Sequence, residues 1–185
     1  MRGMIYETRM ITEVFKNFFG KKKTSAVQPQ ESDFQKLGLQ LKKDINHVFG
    51  RSLAIRELDS GSDNAAEIEI NNLATPYYDV ERFGITFVAS PRHADVILIT
   101  GAVTLNMALA VKKTFDAMPQ PGLVVAVGDD ACDGGIFKGT YAVLGGVDSI
   151  LTVDAKIPGN PPSPEEILLG LVTLMEQVKK NKQHK

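Results

Sequence analysis

The sequence predicts an α/β protein in which a parallel sheet carries helices on both faces, and three observations lead to this prediction. Strand-like and helix-like segments alternate from residue 51 onward, which is the order expected when helices connect parallel strands. The segments "ADVILITG" and "GLVVAVG" are almost unbroken apolar runs, as in strands buried on both faces. Loops rich in glycine and proline follow several of these strands. Together these features favour a flavodoxin-like parallel sheet, preceded by an N-terminal helical extension.

The composition is that of an ordinary folded domain and argues against several classes of function. The chain has 185 residues, 43% of them hydrophobic, and a net charge of −1, so neither disorder nor a nucleic-acid partner is expected. The sequence contains no run of about eighteen apolar residues, so no membrane span is predicted, and the N-terminus lacks a secretory signal pattern. Because Cys132 is the only cysteine, the chain holds no internal disulfide and no all-thiolate metal site, which fits the cytoplasm.

Residues 1–31 are predicted to form an amphipathic helix followed by a linker. The segment "ITEVFKNFFGKKK" places large apolar side chains at helical spacing and ends in a glycine and three lysines. These apolar residues are Ile11, Val14, Phe15, Phe18 and Phe19. Such a helix lies on a membrane surface, docks in a partner's apolar groove, or packs on its own domain, and the sequence leaves these alternatives open. We divide the chain into residues 1–31, a domain at 32–180 with its core at 51–178, and a tail at 181–185.

The elements of the domain follow one another in order. Ser32 is a favourable N-cap for the first helix, Gly50 stops it, and Pro164 begins the last helix. In the third helix, five apolar residues are available for burial, namely Leu105, Ala108, Leu109, Val111 and Phe115. The predicted bounds are helices 32–48, 64–74, 104–117 and 164–178, and strands 52–58, 84–90, 94–101, 122–128 and 149–154.

Three loops are predicted to meet at one edge of the sheet. They cover residues 59–66, 128–135 and 157–163, and each follows a predicted strand. In an open parallel sheet, ligands gather beyond the carboxyl ends of the strands. Glycines and prolines shape all three loops, so we expect them to hold defined conformations.

Several motifs in these strands and loops resemble one protein family. They include "EIEI", "SPRHAD", "GDDACDGGIF", "YAVLGGVD" and "IPGNPPSPEEILLG", in that order, and the likeness extends from about Lys42 to Gln177. The sequence is similar to the small subunit of energy-converting membrane-bound nickel–iron hydrogenases and to its counterpart in NADH:quinone oxidoreductase, the B subunit of complex I. The resemblance implies an electron-transferring subunit in which these three loops hold one 4Fe–4S cluster through four cysteines.

All four of those cysteines are replaced in this chain. The family's first loop reads Gly-Ser-Cys-Asn-Gly-Cys, and Asp63 and Ala66 stand at its two cysteine positions here. Asp130 stands at the cysteine position of the second loop, and Asn160 replaces the cysteine of the family's Pro-Gly-Cys-Pro-Pro. Cys132 lies two places beyond the ligand position of its loop. Because iron–sulfur clusters are held by thiolates, we expect no cluster and no other cofactor in this chain.

The substituted loops have two interpretations. Asp63, Asp130 and Asn160, with Asp129 and Asp133 nearby, offer the oxygen ligands that a hard divalent cation prefers. The alternative is that hydrated polar residues fill a former cluster site. Since the spacing does not match a calcium-binding loop, the prediction is that no metal binds.

Three more residues take roles from the resemblance alone. Glu69 matches the carboxylate that lies close behind the cluster and helps to couple electron and proton movement in the family. Arg92 and His93, in "SPRHAD", match a turn near the quinone or the cluster. Without a cluster, the alternatives are a partner contact or a buried salt bridge for Glu69 and a partner contact for Arg92.

The sequence therefore predicts a structural or assembly subunit, without a 4Fe–4S cluster, of a membrane-associated respiratory or hydrogenase-like oxidoreductase complex. The resemblance implies a hydrogenase-large-subunit-like protein and membrane-arm subunits as partners. It also implies a cytoplasmic location, peripheral at the cytoplasmic membrane. The alternative is an electron-transfer subunit that uses a different metal or cofactor in the old cluster pocket.

Overall fold

The structure of the protein is a computed structural model that describes residues 32–183, so the predicted helix and linker, with Ile11, Val14, Phe15, Phe18 and Phe19, lie outside the described residues. Its strands are β1 (Leu53–Asp59), β2 (Ile85–Phe87), β3 (Val96–Thr100), β4 (Val103–Thr104), β5 (Leu123–Val127), β6 (Val143–Gly145) and β7 (Ala155–Ile157). Its α-helices are α1 (Asp33–Phe49), α2 (Ala65–Leu73), α3 (Leu105–Asp116), α4 (Asp129–Asp133) and α5 (Pro164–Gln183).

Five strands form a parallel sheet in the spatial order β2-β1-β3-β5-β7, while β4 and β6 form a separate antiparallel pair. Counting only the strands of the large sheet, this is the 2-1-3-4-5 order of flavodoxin-like proteins, so the predicted fold class is confirmed. Asp59 of β1 aligns with Thr100 of β3, which aligns with Val127 of β5. The three strands therefore end at the same level, and the loops after them leave from one edge.

Two apolar layers cover the two faces of the sheet. All five residues of β3 are buried, as predicted, and they alternate between the layers. Val96 and Leu98 join the layer formed with α1, α2 and α5, whereas Ile97 and Ile99 join the layer formed with α3 and α4. Helices therefore lie on both faces of the sheet.

The predicted helix boundaries rest on recognisable caps. The Ser32 hydroxyl accepts a hydrogen bond from Gln35 N at 3.2 Å, and Gly50 ends α1 in the left-handed conformation at φ +66°. Before α5, Ser163 N donates to Glu166 Oε2 at 2.7 Å and Glu166 N donates to the Ser163 hydroxyl at 3.3 Å. This reciprocal capping box fixes the start of α5.

The last helix is longer than predicted, because it runs to Gln183 instead of ending near Val178. Contacts with α1 hold its C-terminal turns: the Lys179 ammonium lies 2.8 Å from the buried Asp44 carboxylate, and Lys182 donates to the Val48 carbonyl at 2.8 Å. Within residues 32–183, no helix combines the length and apolar character needed to cross a bilayer.

The strand predicted at 149–154 is displaced along the chain to β7. Residues 147–149 form a 3₁₀ turn, and Leu151 N donates to the Val147 carbonyl at 3.0 Å. The Asp154 carboxylate accepts from Val124 N at 2.8 Å, while Asp154 N donates to the Val124 carbonyl at 2.8 Å. The chain therefore joins the sheet only at Asp154, and its apolar run before that point packs as a turn.

Helix α3 buries fewer of its apolar residues than its sequence offers. Of the five residues available for burial, Val111 is fully buried, and Ala108 and Phe115 are partly buried against the second layer. Leu105 and Leu109 are exposed. A helix with apolar residues on two sides can place only one of them against a sheet, and here the other side is left in solvent.

Helix α1 approaches the core so closely at Gly38 that a methyl group there would lie 2.3 Å from the Phe83 ring, itself 2% exposed. We expect Gly38→Ala to lower the free energy of unfolding by about 1 kcal/mol or more in a urea titration, because overpacking exceeds the gain in helix propensity. Leu39→Ala, on the exposed side of the same helix, should change it by less than about 0.5 kcal/mol. A stabilised Gly38→Ala variant would contradict this packing.

Candidate functional site

The candidate site lies where the order of the strands reverses, between β1 and β3. Open α/β sheets bind ligands beyond the carboxyl ends of their strands at this point. Residues 60–64, the part of the first loop between β1 and α2, leave β1 here, and Gly101 follows β3. Gly101 has a φ of +71°, and a side chain there would lie 2.3 Å from Ser62 N. The glycine therefore allows the two chain segments to touch.

Hydrogen bonds join the loop after β5 to the loop after β7. Gly128 N donates to the Ile157 carbonyl at 2.8 Å, and Asp129 N donates to the Gly159 carbonyl at 2.8 Å. In the reverse direction, Gly159 N donates to Asp129 Oδ1 at 2.8 Å. These three hydrogen bonds therefore fix the position of the second loop relative to the third.

The structure brings together the four positions at which the resemblance places cysteines. Asp63, Ala66, Asp130 and Asn160 all line one small cavity at the carboxyl edge of the sheet. The cavity measures about 10 Å³, which is room for about one water molecule. The three loops meet as a parallel sheet requires.

The side chains around this cavity do not fit a 4Fe–4S cluster. Asp63 and Asp130 offer carboxylates, Asn160 an amide and Ala66 a methyl group, whereas such clusters are held by thiolates. Asp63 Oδ1 also accepts a hydrogen bond from Ala65 N at 2.9 Å. In the part of the chain that the structure describes, no three His, Cys, Asp or Glu side chains converge as a metal-binding group.

Asp130 has an unusual environment for a carboxylate. Its Oδ1 atom is buried and has no hydrogen-bond partner among the described residues. Burial raises the pKa of Asp130, and the negative charges of Asp63, Asp129 and Asp133 raise it further, while the neighbouring backbone N–H of Ile136 opposes the shift. The charge of Asp130 is therefore poorly compensated within the described chain.

Cys132 is a packing residue. Its side chain is buried, and Sγ lies 3.8 Å from the Ala126 carbonyl. Burial is the main cause that raises the pKa of the Cys132 thiol to about 11. The thiol is therefore protonated at neutral pH, and a protonated thiol is a poor metal ligand and nucleophile.

A buried carboxylate, that of Glu67, connects the first loop to β3. Glu67 Oε2 accepts a hydrogen bond from the Ser62 hydroxyl at 2.6 Å, and Oε1 accepts one from the Thr100 hydroxyl. Glu67 is 6% exposed and Thr100 is fully buried. Through these two hydrogen bonds, Glu67 ties the first loop, α2 and β3 together next to the cavity.

The other residues selected from the sequence do not line the cavity. Glu69 is partly buried on α2, with Oε2 at 3.4 Å from Asn72 Nδ2. Arg92 and His93 are exposed in a 3₁₀ turn that precedes β3, whereas the cavity lies beyond the opposite, carboxyl end of that strand. The structure therefore separates Arg92 and His93 from the site.

Sequence reasoning selected Glu69 and missed Glu67, although a signal for Glu67 was present. The buried face of α2 consists of Ala66, Glu67, Ile70 and Leu73, while Ile68 is exposed. Glu67 lies three residues before Ile70 and so shares its side of the helix. A charged residue in the apolar stripe of a helix points to a buried hydrogen-bonding role.

Comparisons with known proteins find relatives that are named as subunits of NADH:quinone oxidoreductase or of membrane-bound hydrogenase. The family model described as "NADH ubiquinone oxidoreductase, 20 Kd subunit" matches residues 64–174. Probable membrane-bound hydrogenase subunit mbhJ of Pyrococcus furiosus is 42% identical over 132 residues, which cover 71% of this chain and 79% of that protein. The NADH-quinone oxidoreductase B subunit of Geobacter metallireducens is 46% identical over 115 residues, covering 62% of this chain and 67% of that protein.

Among solved structures, the chain is similar to a chain of the membrane-bound sulfane sulfur reductase, described as an archaeal respiratory membrane complex. The two chains are 34% identical and superpose with a TM-score of 0.64. The match covers 74% of this chain and 75% of that one. At this identity, the likeness extends beyond a shared fold.

Removal of the Glu67 carboxylate should loosen the first loop. In Glu67→Ala the buried Thr100 hydroxyl keeps only the long contact of 3.5 Å to the Leu58 carbonyl, and the Ser62 hydroxyl loses its acceptor, so we expect the free energy of unfolding to fall by about 2–3 kcal/mol in a urea titration. Glu69→Ala, on the same helix, removes only one long hydrogen bond and should cost less than about 1 kcal/mol. Equal losses in the two variants would show that Glu67 is not the tie between these elements.

The stability of the protein should depend on the charge of Asp130. Because its folded-state pKa is raised above the ordinary value of 3.8, the folded state binds this proton more tightly than the unfolded state. The resulting stability is complete below a pH of about 3.8 and is lost as the pH rises through the raised pKa.

We therefore expect Asp130→Asn to be more stable than the unchanged chain at neutral pH, with the advantage shrinking as the pH falls toward the ordinary aspartate pKa. Urea titrations of both proteins across this pH range provide the measurement. A stability difference that stays constant with pH would assign the effect to packing and not to charge.

Proposed function

This chain belongs to the family of the NADH:ubiquinone oxidoreductase 20-kDa subunit, and from that premise we propose that it is a cluster-free subunit of a membrane-associated respiratory or hydrogenase-like oxidoreductase complex. Its role there is structural or in assembly. One observation carries this proposal: the three loops retain a shared, closed geometry while none of the four ligand positions offers a thiolate. The resemblance found in the sequence is confirmed by the family match.

The relatives support membership of a larger complex. The Pyrococcus furiosus protein is named as a subunit of a membrane-bound hydrogenase, and the structural neighbour belongs to a respiratory membrane complex. By extension, we propose as partners a hydrogenase-large-subunit-like protein and membrane-arm subunits. The chain is then peripheral at the cytoplasmic face of the membrane.

The chemistry of the described residues supports the absence of a cluster. Two carboxylates, one amide and one methyl group replace the four ligands, and iron–sulfur clusters require thiolates. Cys132 does not supply the missing thiolates, because it is a single buried thiol with a pKa of about 11 and cannot take the place of four ligands. The position is thus converted from a redox site to a hydrogen-bonded junction of loops.

An electron-transfer role through a different metal or cofactor is the alternative function. It requires a ligand set in the old cluster pocket. Within residues 32–183, no three His, Cys, Asp or Glu side chains converge as a metal-binding group, so this part of the chain gives the alternative no support. The two functions make opposite predictions about bound metal.

We expect the full-length chain, purified anaerobically from its native cells, to contain no stoichiometric iron or acid-labile sulfide and to give no cluster signal in electron paramagnetic resonance. The matched control restores the thiolates in one variant that combines Asp63→Cys, Ala66→Cys, Asp130→Cys and Asn160→Cys. After reconstitution with iron and sulfide, this variant should bind a cluster while the unchanged chain does not. A cluster or another stoichiometric metal in the unchanged chain would falsify the cluster-free proposal and restore a redox role.

A further inference from the structure

The two longest helices, α1 and α5, end together at the amino edge of the sheet. α1 leads directly into β1, so its last turn lies where the parallel strands begin. α5 starts beyond the carboxyl end of β7 and packs against α1. Three contacts advance along both helices in step, pairing Gln40 with Glu176, Asp44 with Lys179 and Val48 with Lys182. The helices therefore run side by side in the same direction.

The last turns of both helices are rich in cations. Residues 41–52 and 176–183 together contain six Lys or Arg and only two acids, although the whole chain has a net charge of −1. This set, named here the basic end, consists of Lys42, Lys43, Arg51, Lys179, Lys180 and Lys182. The loops at the opposite, carboxyl edge carry Asp59, Asp63, Asp129, Asp130 and Asp133. The domain thus has a positive end and a negative end.

Carboxylates balance two of the six cations. The Lys179 ammonium lies 2.8 Å from the buried Asp44 carboxylate. The Arg51 guanidinium donates to both carboxylate oxygens of Asp95, at 2.7 and 2.8 Å. These two pairs hold the ends of α5 and α1 in place and add no net charge to the surface.

The other four cations keep their charge. Lys42 and Lys182 donate to backbone carbonyls, at 3.0 and 2.8 Å, and a carbonyl does not neutralise an ammonium. Lys43 and Lys180 are exposed, and neither forms a salt bridge within residues 32–183. Cations at the C-terminus of a helix complement its dipole, but Lys182 already donates to a last-turn carbonyl of α1. Lys43 and Lys180 are thus left for another molecule.

A groove of about 470 Å³ separates the two helices beside these lysines. It is named here the lysine groove, and it is lined by Gln40, Lys43, Asp44, Glu176, Lys179 and Lys180. Both of its acids are already engaged, since Asp44 pairs with Lys179 and Glu176 Oε1 accepts from the Gln40 amide at 2.7 Å. The donors of Lys43 and Lys180 therefore face the groove without a carboxylate partner in the described chain.

We propose that the basic end docks on an anionic lipid surface, with the phosphate of a lipid headgroup in the lysine groove between Lys43 and Lys180. This inference rests on the proposed function for the nearness of a membrane. Clusters of four to eight Lys or Arg on a helix are attracted to anionic lipids. The acidic carboxyl edge of the sheet then points away from the lipid.

The chemistry of the cations favours this occupant over two others. A second copy of this chain, docked through the same surface, brings lysines against lysines. An acidic protein segment is better paired by arginine, whose planar donors bind a carboxylate at two points, and the arginine of the basic end is already paired. The cations that remain are all lysines, which act as point charges and suit a layer of phosphates.

The test measures binding of the purified full chain to vesicles by cosedimentation. One set of vesicles consists of phosphatidylcholine, and the other of equal parts of phosphatidylcholine and phosphatidylglycerol. We expect binding to the anionic set to be at least about tenfold tighter. This difference should shrink as salt shortens the Debye length from about 10 Å at 0.1 M to about 3 Å at 1 M. Because no other protein is present, binding cannot come from an acidic protein partner.

A double variant tests the lysine groove. Lys43→Gln combined with Lys180→Gln should weaken binding to the anionic vesicles by at least about tenfold. Lys43→Arg combined with Lys180→Arg keeps the charge and should retain binding. The matched control combines Lys36→Gln, in the first turn of α1, with Lys138→Gln, after the second loop. It removes the same net charge from exposed side chains and should bind like the unchanged chain.

Three results would overturn the inference. They are equal binding of the unchanged chain to both sets of vesicles, unchanged binding of the double Gln variant at Lys43 and Lys180, and an equal loss in the control. Unchanged binding of that variant would assign the contact to another surface, such as residues 1–31, and an equal loss would assign it to net charge alone.

The outcomes are distinguishable from failure of the proposed function. If the tagged chain copurifies with a complex and contains no cluster but does not bind anionic vesicles, the docking surface is wrong while the proposed function stands. If the unchanged chain contains a stoichiometric cluster, the cluster-free proposal fails, whatever the vesicles show.

Discussion

The architecture of the site depends on hydrogen bonds that lock three loops at the carboxyl edge of the parallel sheet. β1, β3 and β5 end at the same level, so the loops that follow the strands leave from one edge. Gly101 permits close contact between the first loop and the end of β3, and Asp129 and Gly159 join the second loop to the third. Because these bonds use the backbone and Asp129, they do not depend on the side chains at the four positions where the resemblance places cysteines.

A lock of this kind keeps its shape through contacts that do not involve the side chains at the four positions where the resemblance places cysteines. The Glu67 carboxylate, which accepts hydrogen bonds from Ser62 and Thr100, links the first loop, α2 and β3. The likeness to the relatives therefore describes the scaffold, while function has to be argued from the side chains at the site. Those side chains are acids and an amide, which suit hydrogen bonding and charge pairing.

Sequence patterns predicted the features that follow from periodicity and backbone chemistry. The buried strand β3, the Ser32 cap and the meeting of the three loops all follow from apolar runs, cap residues and the rule that parallel strands end together. The burial of Glu67 was not predicted, because the resemblance assigned a role to Glu69, whereas the helical spacing from Ile70 places Glu67 on the buried face of α2. The late start of β7 depends on the tertiary bond between Asp154 and Val124, which no local pattern encodes.

The exposed side of α3 is the most informative departure from the sequence pattern, because an apolar residue in solvent is a cost that folding of this chain does not remove. The same holds for Asp130 Oδ1, which lies buried without a donor in the described structure. The two features have opposite chemical character. Ile136, a further exposed apolar residue, lines the same surface depression as Asp130, so apolar and acidic groups adjoin there. Folding of residues 32–183 alone therefore leaves apolar area in water and a carboxylate oxygen without a hydrogen bond within this part of the chain.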